Sequence, residues 1–128
     1  MGQQQLILVV LGMIIVGIAI VVAVTMFQSN AIESSRSALI NDLLYFASKA
    51  RGYYWRPLNF GGGNHSFNGI TMGMISSMSE NENGRYYIES YTTNEVVFVG
   101  VGRMVAGDDS VRVRMTVNEQ NSVIQIVN

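Results

Sequence analysis

The apolar stretch Leu6–Phe27 constrains this chain more than any other feature of its sequence. It reads LILVVLGMIIVGIAIVVAVTMF, and no charged residue occurs before Glu33. At about 1.5 Å per residue, a helix of this length spans about 33 Å, enough to cross a hydrocarbon layer about 30 Å thick. A continuous apolar surface aggregates in water. The sequence therefore predicts that residues 1–27 form a hydrophobic helix, buried either in lipid or among identical helices of other copies.

Several residues in and before this segment are suited to contacts between helices. Val and Ile favour strands, but in an apolar environment only a helix satisfies its own backbone groups. Small side chains let neighbouring helix backbones approach, and a polar amide can form hydrogen bonds without the desolvation cost of an ion. The candidate helix–helix assembly residues are Gln5, Gly12, Gly17, Ala19 and Ala23.

A cleaved signal peptide is the alternative interpretation of the same stretch. Ser29-Asn30-Ala31 has small residues that suit a cleavage site. The preceding MGQQQ has no positive charge, however, and the apolar run exceeds the usual length of about 7–15 residues. We therefore expect the segment to belong to the working protein.

Residues 28–52 are predicted to continue the helix with one apolar face. The apolar positions step by seven, four, three and four residues, which is a helical period. Lys49 and Arg51 suit the negative end of the helix dipole, and Gly52 is the predicted helix stop. The apolar positions are Ile32, Leu39, Leu43, Phe46 and Ala50.

Residues 53–82 are predicted to form a loop region rich in glycine and aromatic residues. It contains Pro57 and the triplet Gly61–Gly63. We expect its aromatic side chains to anchor the loop to the helix, in preference to forming a binding patch. Within it, the alternation of apolar residues in Gly69–Ser79 favours a short strand, although Met74 and Met78 also fit a helical turn.

Residues 83–128 are predicted to form an antiparallel β-meander of about four strands. Asn83-Gly84 is a turn signal, and the β-rich runs Arg85–Thr93 and Glu95–Ala106 follow it. Val111, Val113, Met115 and Val117 then alternate with polar residues, and Val123–Val127 closes the meander. The predicted fold class is α+β, with one long N-terminal helix packed on a small antiparallel sheet.

Composition and motifs indicate no catalytic site, no metal or cofactor site and no contact with nucleic acid. The net charge is -1 and the seven arginines are scattered, so the sequence indicates no contact with nucleic acid. The absence of cysteine excludes disulfides and thiolate sites. His65 is the single histidine, and no motif provides a catalytic, metal or cofactor site. Asn64-His65-Ser66 matches a glycosylation acceptor at Asn64.

The layout of the chain resembles that of a type IV pilin or pilin-like filament subunit. The resemblance rests on GQQQLILVVLGMIIVGIAIVVAV at the N-terminus, on the helical continuation IESSRSALINDLLYFASKA, and on the glycine-rich loop and sheet that follow. The chain departs from the family pattern in three ways. Its leader Met1-Gly2 has no basic residue, the common early glutamate is missing, and no cysteine pair closes a C-terminal loop.

The resemblance implies a structural protein. An anchored enzyme, the third class of function, is disfavoured because the sequence provides no catalytic constellation. Such subunits are held in the inner (cytoplasmic) membrane and are then assembled, by dedicated machinery, into a cell-surface homopolymer with the helices at its core. Gly2 resembles the glycine after which a prepilin peptidase cuts, which would leave Gln3 first. Two alternatives remain open at this point: a single-pass membrane-anchored extracytoplasmic interaction domain, and a secretion-system pseudopilin.

Overall fold

The computed structural model describes residues 2–128 and shows one long helix followed by an antiparallel sheet. Helix α1 spans Gly2–Trp55, a 3-10 turn spans Leu58–Phe60, and the short helix α2 spans Met72–Ile75. The strands are β1 (Glu80–Asn81), β2 (Gly84–Tyr91), β3 (Glu95–Ala106), β4 (Asp109–Asn118) and β5 (Ser122–Ile126). They lie in sequence order, and every neighbouring pair is antiparallel. The predicted α+β fold is confirmed, with five strands because the two-residue β1 joins the sheet.

The chain divides into two compact units, of which the first ends at Ala31 and the second is Ile32–Asn128. The second unit has its own hydrophobic core, formed by one face of α1 over residues 32–55, one face of the sheet, and Phe67, Ile70 and Ile75 of the region that connects them. Of the five residues predicted from helical spacing, Ile32 is partly buried and packs against the core, and Leu39, Leu43, Phe46 and Ala50 are buried there. So are the four alternating residues of β4, Val111, Val113, Met115 and Val117. The periods of 3.6 and 2 therefore identified both faces of the core correctly.

The predicted helix stop at Gly52 is wrong, because α1 continues to Trp55. Tyr53 and Tyr54 are buried in the core, so one further turn of helix is stabilised by packing. Pro57 then disfavours a helical conformation at Arg56 and ends the helix. The exposed carbonyls of the last turn are capped by the loop: Gly63 N donates to Tyr53 O at 2.8 Å, and His65 N to Tyr54 O at 2.7 Å.

Some aromatic side chains of the loop region are buried and others are exposed. Tyr53, Tyr54 and Phe67 are buried, as expected of anchors, and the Tyr54 and Phe67 ring centroids lie 4.9 Å apart. Phe60 is exposed, so the anchoring prediction is wrong for it. Trp55 is also exposed, but its ring packs against that of the loop residue His65. Gly63 has to be a glycine, since a Cβ there would overlap the carbonyl of Ser66.

The predicted strand within Gly69–Ser79 is also wrong, because Met72–Ile75 form a single helical turn. Ile70 and Ile75 are both buried, and in a strand residues five apart would lie on opposite faces. The turn brings both to the core, and Ser76 N donates to Met72 O at 2.9 Å. Met74 and Met78 remain exposed.

A polar cluster around Asp42 joins α1 to the first turn of the sheet. Asp42 Oδ2 accepts hydrogen bonds from Asn83 Nδ2 at 2.9 Å, from Asn81 Nδ2 at 3.0 Å and from the Tyr86 hydroxyl. Partial burial raises the pKa of the Asp42 carboxyl, but the three hydrogen bonds outweigh it, so the pKa lies below its ordinary value. Burial and the bond to Asp42 raise the pKa of Tyr86, which therefore stays a donor.

These contacts predict that acid destabilises the second unit through Asp42. Because the pKa is lower in the folded state than the value of about 3.9 in the unfolded chain, the stabilisation is present above about pH 4 and is lost as pH falls through the folded pKa. We expect Asp42→Asn to lower the urea midpoint of unfolding at pH 7. As the pH is lowered, the midpoint of this variant should fall less than that of the wild type. Asp108→Asn, in an exposed turn, is the matched control. An Asp42→Asn profile parallel to that of the wild type would contradict the assignment.

Candidate assembly interface

The segment Leu6–Phe27 of α1 presents apolar side chains on every side and covers none of them. The exposed fractions of its large apolar residues run from 49% at Val10 and Leu11 to 75% at Phe27. By length and composition, α1 is the one helix among residues 2–128 that is able to cross a membrane. Burying one Val, Leu or Ile side chain contributes about 1.5–3 kcal/mol, so this surface is strongly driven out of water. Lipid and a bundle of helices would cover it about equally well, and packing decides between them.

Four of the five predicted assembly residues share one side of the helix. Gln5, Gly12, Ala19 and Ala23 are separated by seven, seven and four residues, which at about 100° per residue places them within about 40° of one another. We call these four residues the assembly stripe. Gly17 does not belong to it, since it lies about 120° around the helix from Gln5.

Neither Gly12 nor Gly17 is required by contacts within the chain. A Cβ built on either residue meets no heavy atom within 4 Å. Glycine inside a helix costs about 1 kcal/mol relative to alanine, so α1 would be more stable without them. Close approach of a second helix backbone is a physical use for glycine at such positions.

The predicted processing and modification residues are exposed. Gly2 is the first residue of α1, and Gln3 lies in its first turn. Met1, the other leader residue, lies outside the described residues. Asn64 is exposed in the loop with a left-handed φ of 51°. Its side chain is therefore accessible, and glycosylation there stays a prediction.

His65 and the acidic residues are not gathered into a site. The His65 ring packs edge-on against Trp55 and Tyr54, with centroids 4.9 and 5.7 Å away. In the described part of the chain, no three His, Asp or Glu residues lie close enough together to hold a metal ion. The histidine therefore packs with the aromatic residues at the end of α1.

Sequence reasoning missed the exposed character of β5. Val123, Ile124, Ile126 and Val127 are all exposed, by 64, 39, 54 and 43%. The signal was present, since VIQIV is apolar at both alternating sets of positions and so fits neither a half-buried strand nor a polar edge. Sequence reasoning also missed the hydrogen bond of 2.9 Å from the Tyr54 hydroxyl to Glu119 Oε2, which raises the pKa of Tyr54.

No family model matches the chain, and comparison with curated proteins and with solved structures likewise found no match.

Proposed function

We propose that this protein is the structural subunit of an extracellular filament of the type IV pilus kind, and that it polymerises through Leu6–Phe27. One observation carries the proposal. An uncharged helical surface long enough to span a bilayer is entirely exposed, and it is followed in sequence by a unit with a complete core of its own. A surface of this kind needs partners, while the second unit needs none for its own core.

The proposal gives the helix two successive environments. Before assembly, lipid of the cytoplasmic membrane covers Leu6–Phe27, and after assembly the same segments of other copies do so. Because both environments are apolar, transfer between them costs little hydrophobic free energy, and close packing of the assembly stripe favours the polymer. Pilus assembly machinery and a prepilin peptidase acting after Gly2 are the partners that this proposal implies.

Electron microscopy of sheared cell-surface material tests the proposal. We expect thin filaments in which mass spectrometry identifies this chain as the main component. Recovery of the chain only as single copies in the membrane fraction would support the alternative of an anchored extracytoplasmic domain. Short assemblies confined to a secretion apparatus would support a pseudopilin.

The amide at Gln5 leads to a specific prediction about charge. Gln5 lies on the assembly stripe, and a neutral amide donates and accepts hydrogen bonds with stacked copies without burying an ion. Gln5→Glu places an unpaired carboxylate there, so we expect filament yield to fall at pH 7 and to recover at acidic pH, where the carboxyl is protonated.

Gln4→Glu is the matched control for this experiment. It introduces the same charge one residue away, about 100° around the helix from the stripe. We expect Gln4→Glu to reduce the filament yield at pH 7 less than Gln5→Glu does, as measured by pelleting. An equal yield of Gln5→Glu filaments at both pH values would contradict the role given to the amide.

A further inference from the structure

Strand β5 is an open edge of the sheet that lacks the usual protection. Edge strands of soluble proteins are commonly protected by charges, proline or short length. The opposite edge follows this rule, since β1 has two residues and Arg103 donates to Glu80 Oε1 and Asn81 O. Residues 122–128 read SVIQIVN, without charge or proline.

This edge is held firmly at both ends. Asn128 Nδ2 donates to the carbonyls of Ala106, Asp109 and Ser110 at 2.9–3.0 Å. At the other end, Asn118 N donates to Asn121 O at 2.9 Å and closes the turn before β5. The strand is therefore fixed before any partner arrives, which lowers the entropic cost of pairing.

The hydrogen-bonding groups that point away from the sheet are identified by the register. Val127 N donates to Arg112 O at 3.0 Å, and Gln125 and Val123 lie opposite Arg114 and Thr116. In an antiparallel pair the bonded residues alternate, so Val123, Gln125 and Val127 direct their backbone groups toward β4. The N–H and C=O groups of Ile124 and Ile126 therefore point outward and are available to another strand.

The sequence of this edge is the same in both directions. Val123-Ile124-Gln125-Ile126-Val127 is a palindrome about Gln125. We propose that β5 pairs with β5 of a second copy of this chain, antiparallel and with the two-fold axis at Gln125. In this register Ile124 lies opposite Ile126 of the other copy, Val123 opposite Val127, and Gln125 opposite itself.

The proposed register satisfies the exposed groups of both copies at once. The outward backbone groups of Ile124 and Ile126 become hydrogen-bonded pairs, and Gln125 falls at a non-bonded position, where side chains are closest. Because an amide both donates and accepts hydrogen bonds, the two Gln125 side chains are able to hydrogen-bond to each other. Ile124 and Ile126 share the face of Met115 and Val113, so four exposed isoleucines gather on one side of the joined sheets.

The contact is isologous and therefore joins two copies and no more. It does not depend on polymerisation through Leu6–Phe27. Where the proposed filament also forms, successive subunits along a polar filament are not related by a two-fold axis, so the β5 pair would tie neighbouring filaments together side by side.

Single cysteines test this geometry in the full chain in detergent micelles, because the chain contains no cysteine of its own. Directly opposed residues have Cβ atoms about 4.5–5.5 Å apart, so Gln125→Cys should form about tenfold more disulfide-linked dimer than Val123→Cys or Val127→Cys alone. In those two variants the thiols of the two copies are offset by four residues, or about 13 Å. Mixing Val123→Cys with Val127→Cys should restore the cross-link. Thr116→Cys, on the neighbouring covered strand, is the control.

Ile124→Pro supplies the second arm of the test. Proline removes an N–H that points outward and leaves the bonds to β4, so protease resistance should persist while the Gln125→Cys cross-link is lost. Equal cross-linking of Gln125→Cys and Val123→Cys would overturn the proposed register. A Gln125→Cys cross-link that survives Ile124→Pro would overturn pairing through the backbone.

Discussion

Ala19→Leu and Gly17→Leu are expected to abolish filaments while leaving the subunit in the membrane. Leucine adds bulk at Ala19, which lies on the assembly stripe, and at Gly17, which lies on another side of the helix where a second neighbour in a bundle would approach closely. The resulting gaps between backbones remove many dispersion contacts. The helix itself does not suffer, since a Cβ on Gly17 meets no heavy atom within 4 Å and leucine is the better helix former. Any loss of assembly therefore reports on contacts between copies.

Two controls keep this experiment interpretable. Ile20→Leu, in the same segment and 58% exposed, changes shape without adding volume and should assemble normally. Membrane fractionation should recover both leucine variants in wild-type amounts. Normal filaments from Ala19→Leu and Gly17→Leu would contradict assembly through close helix packing.

Val113→Asp is expected to unfold the second unit. Val113 has no exposed surface and lies between Gly100 of β3 and Ile126 of β5. A buried carboxylate without a partner costs several kcal/mol, which is comparable with the total stability of about 5–15 kcal/mol for a domain. Limited proteolysis of the full chain should show rapid cleavage within Ile32–Asn128.

Matched substitutions separate burial from charge in this test. Val105→Asp makes the same change at a valine of β3 that is 58% exposed, and it should leave protease resistance close to that of the wild type. Arg112→Ser and Arg114→Ser should also be tolerated. The Arg114 pair with Glu89, at 2.8 Å, is more than one-third exposed, and such pairs contribute about 0–1 kcal/mol. If the arginine variants lose protease resistance and Val113→Asp keeps it, the assignment of the buried and exposed faces of β4 is wrong.

Sequence alone predicted the fold in segments where the apolar residues follow one clear period, either that of a helix or that of a strand. The strict alternation of Val111 to Val117 placed β4 and its buried face, and helical spacing placed Leu39 and Leu43 in the core. It failed where tertiary contacts decided the outcome. Because Tyr53 and Tyr54 are buried in the core, α1 extends beyond Gly52. Because Ile70 and Ile75 are both buried, the chain forms a helical turn between them and not a strand.

The candidate interface could be predicted in part for a related reason. A helix has a fixed angular step, so Gln5, Gly12, Ala19 and Ala23 were certain to share one side once the helix was correct. The open edge at β5 depends on strand order and on which backbone groups already have partners. The local pattern of VIQIV shows that the strand fits neither a half-buried position nor a polar edge, but it gives neither the strand order nor the backbone groups that lack partners.

A helical reconstruction of the filaments by cryo-electron microscopy tests the central claim most directly. The proposal predicts that Leu6–Phe27 of each subunit lies in the filament core, with Ala19 and Gly12 in contact with helices of other copies and no lipid between them. A filament held together by Ile32–Asn128 alone, with Leu6–Phe27 outside the core, would contradict it.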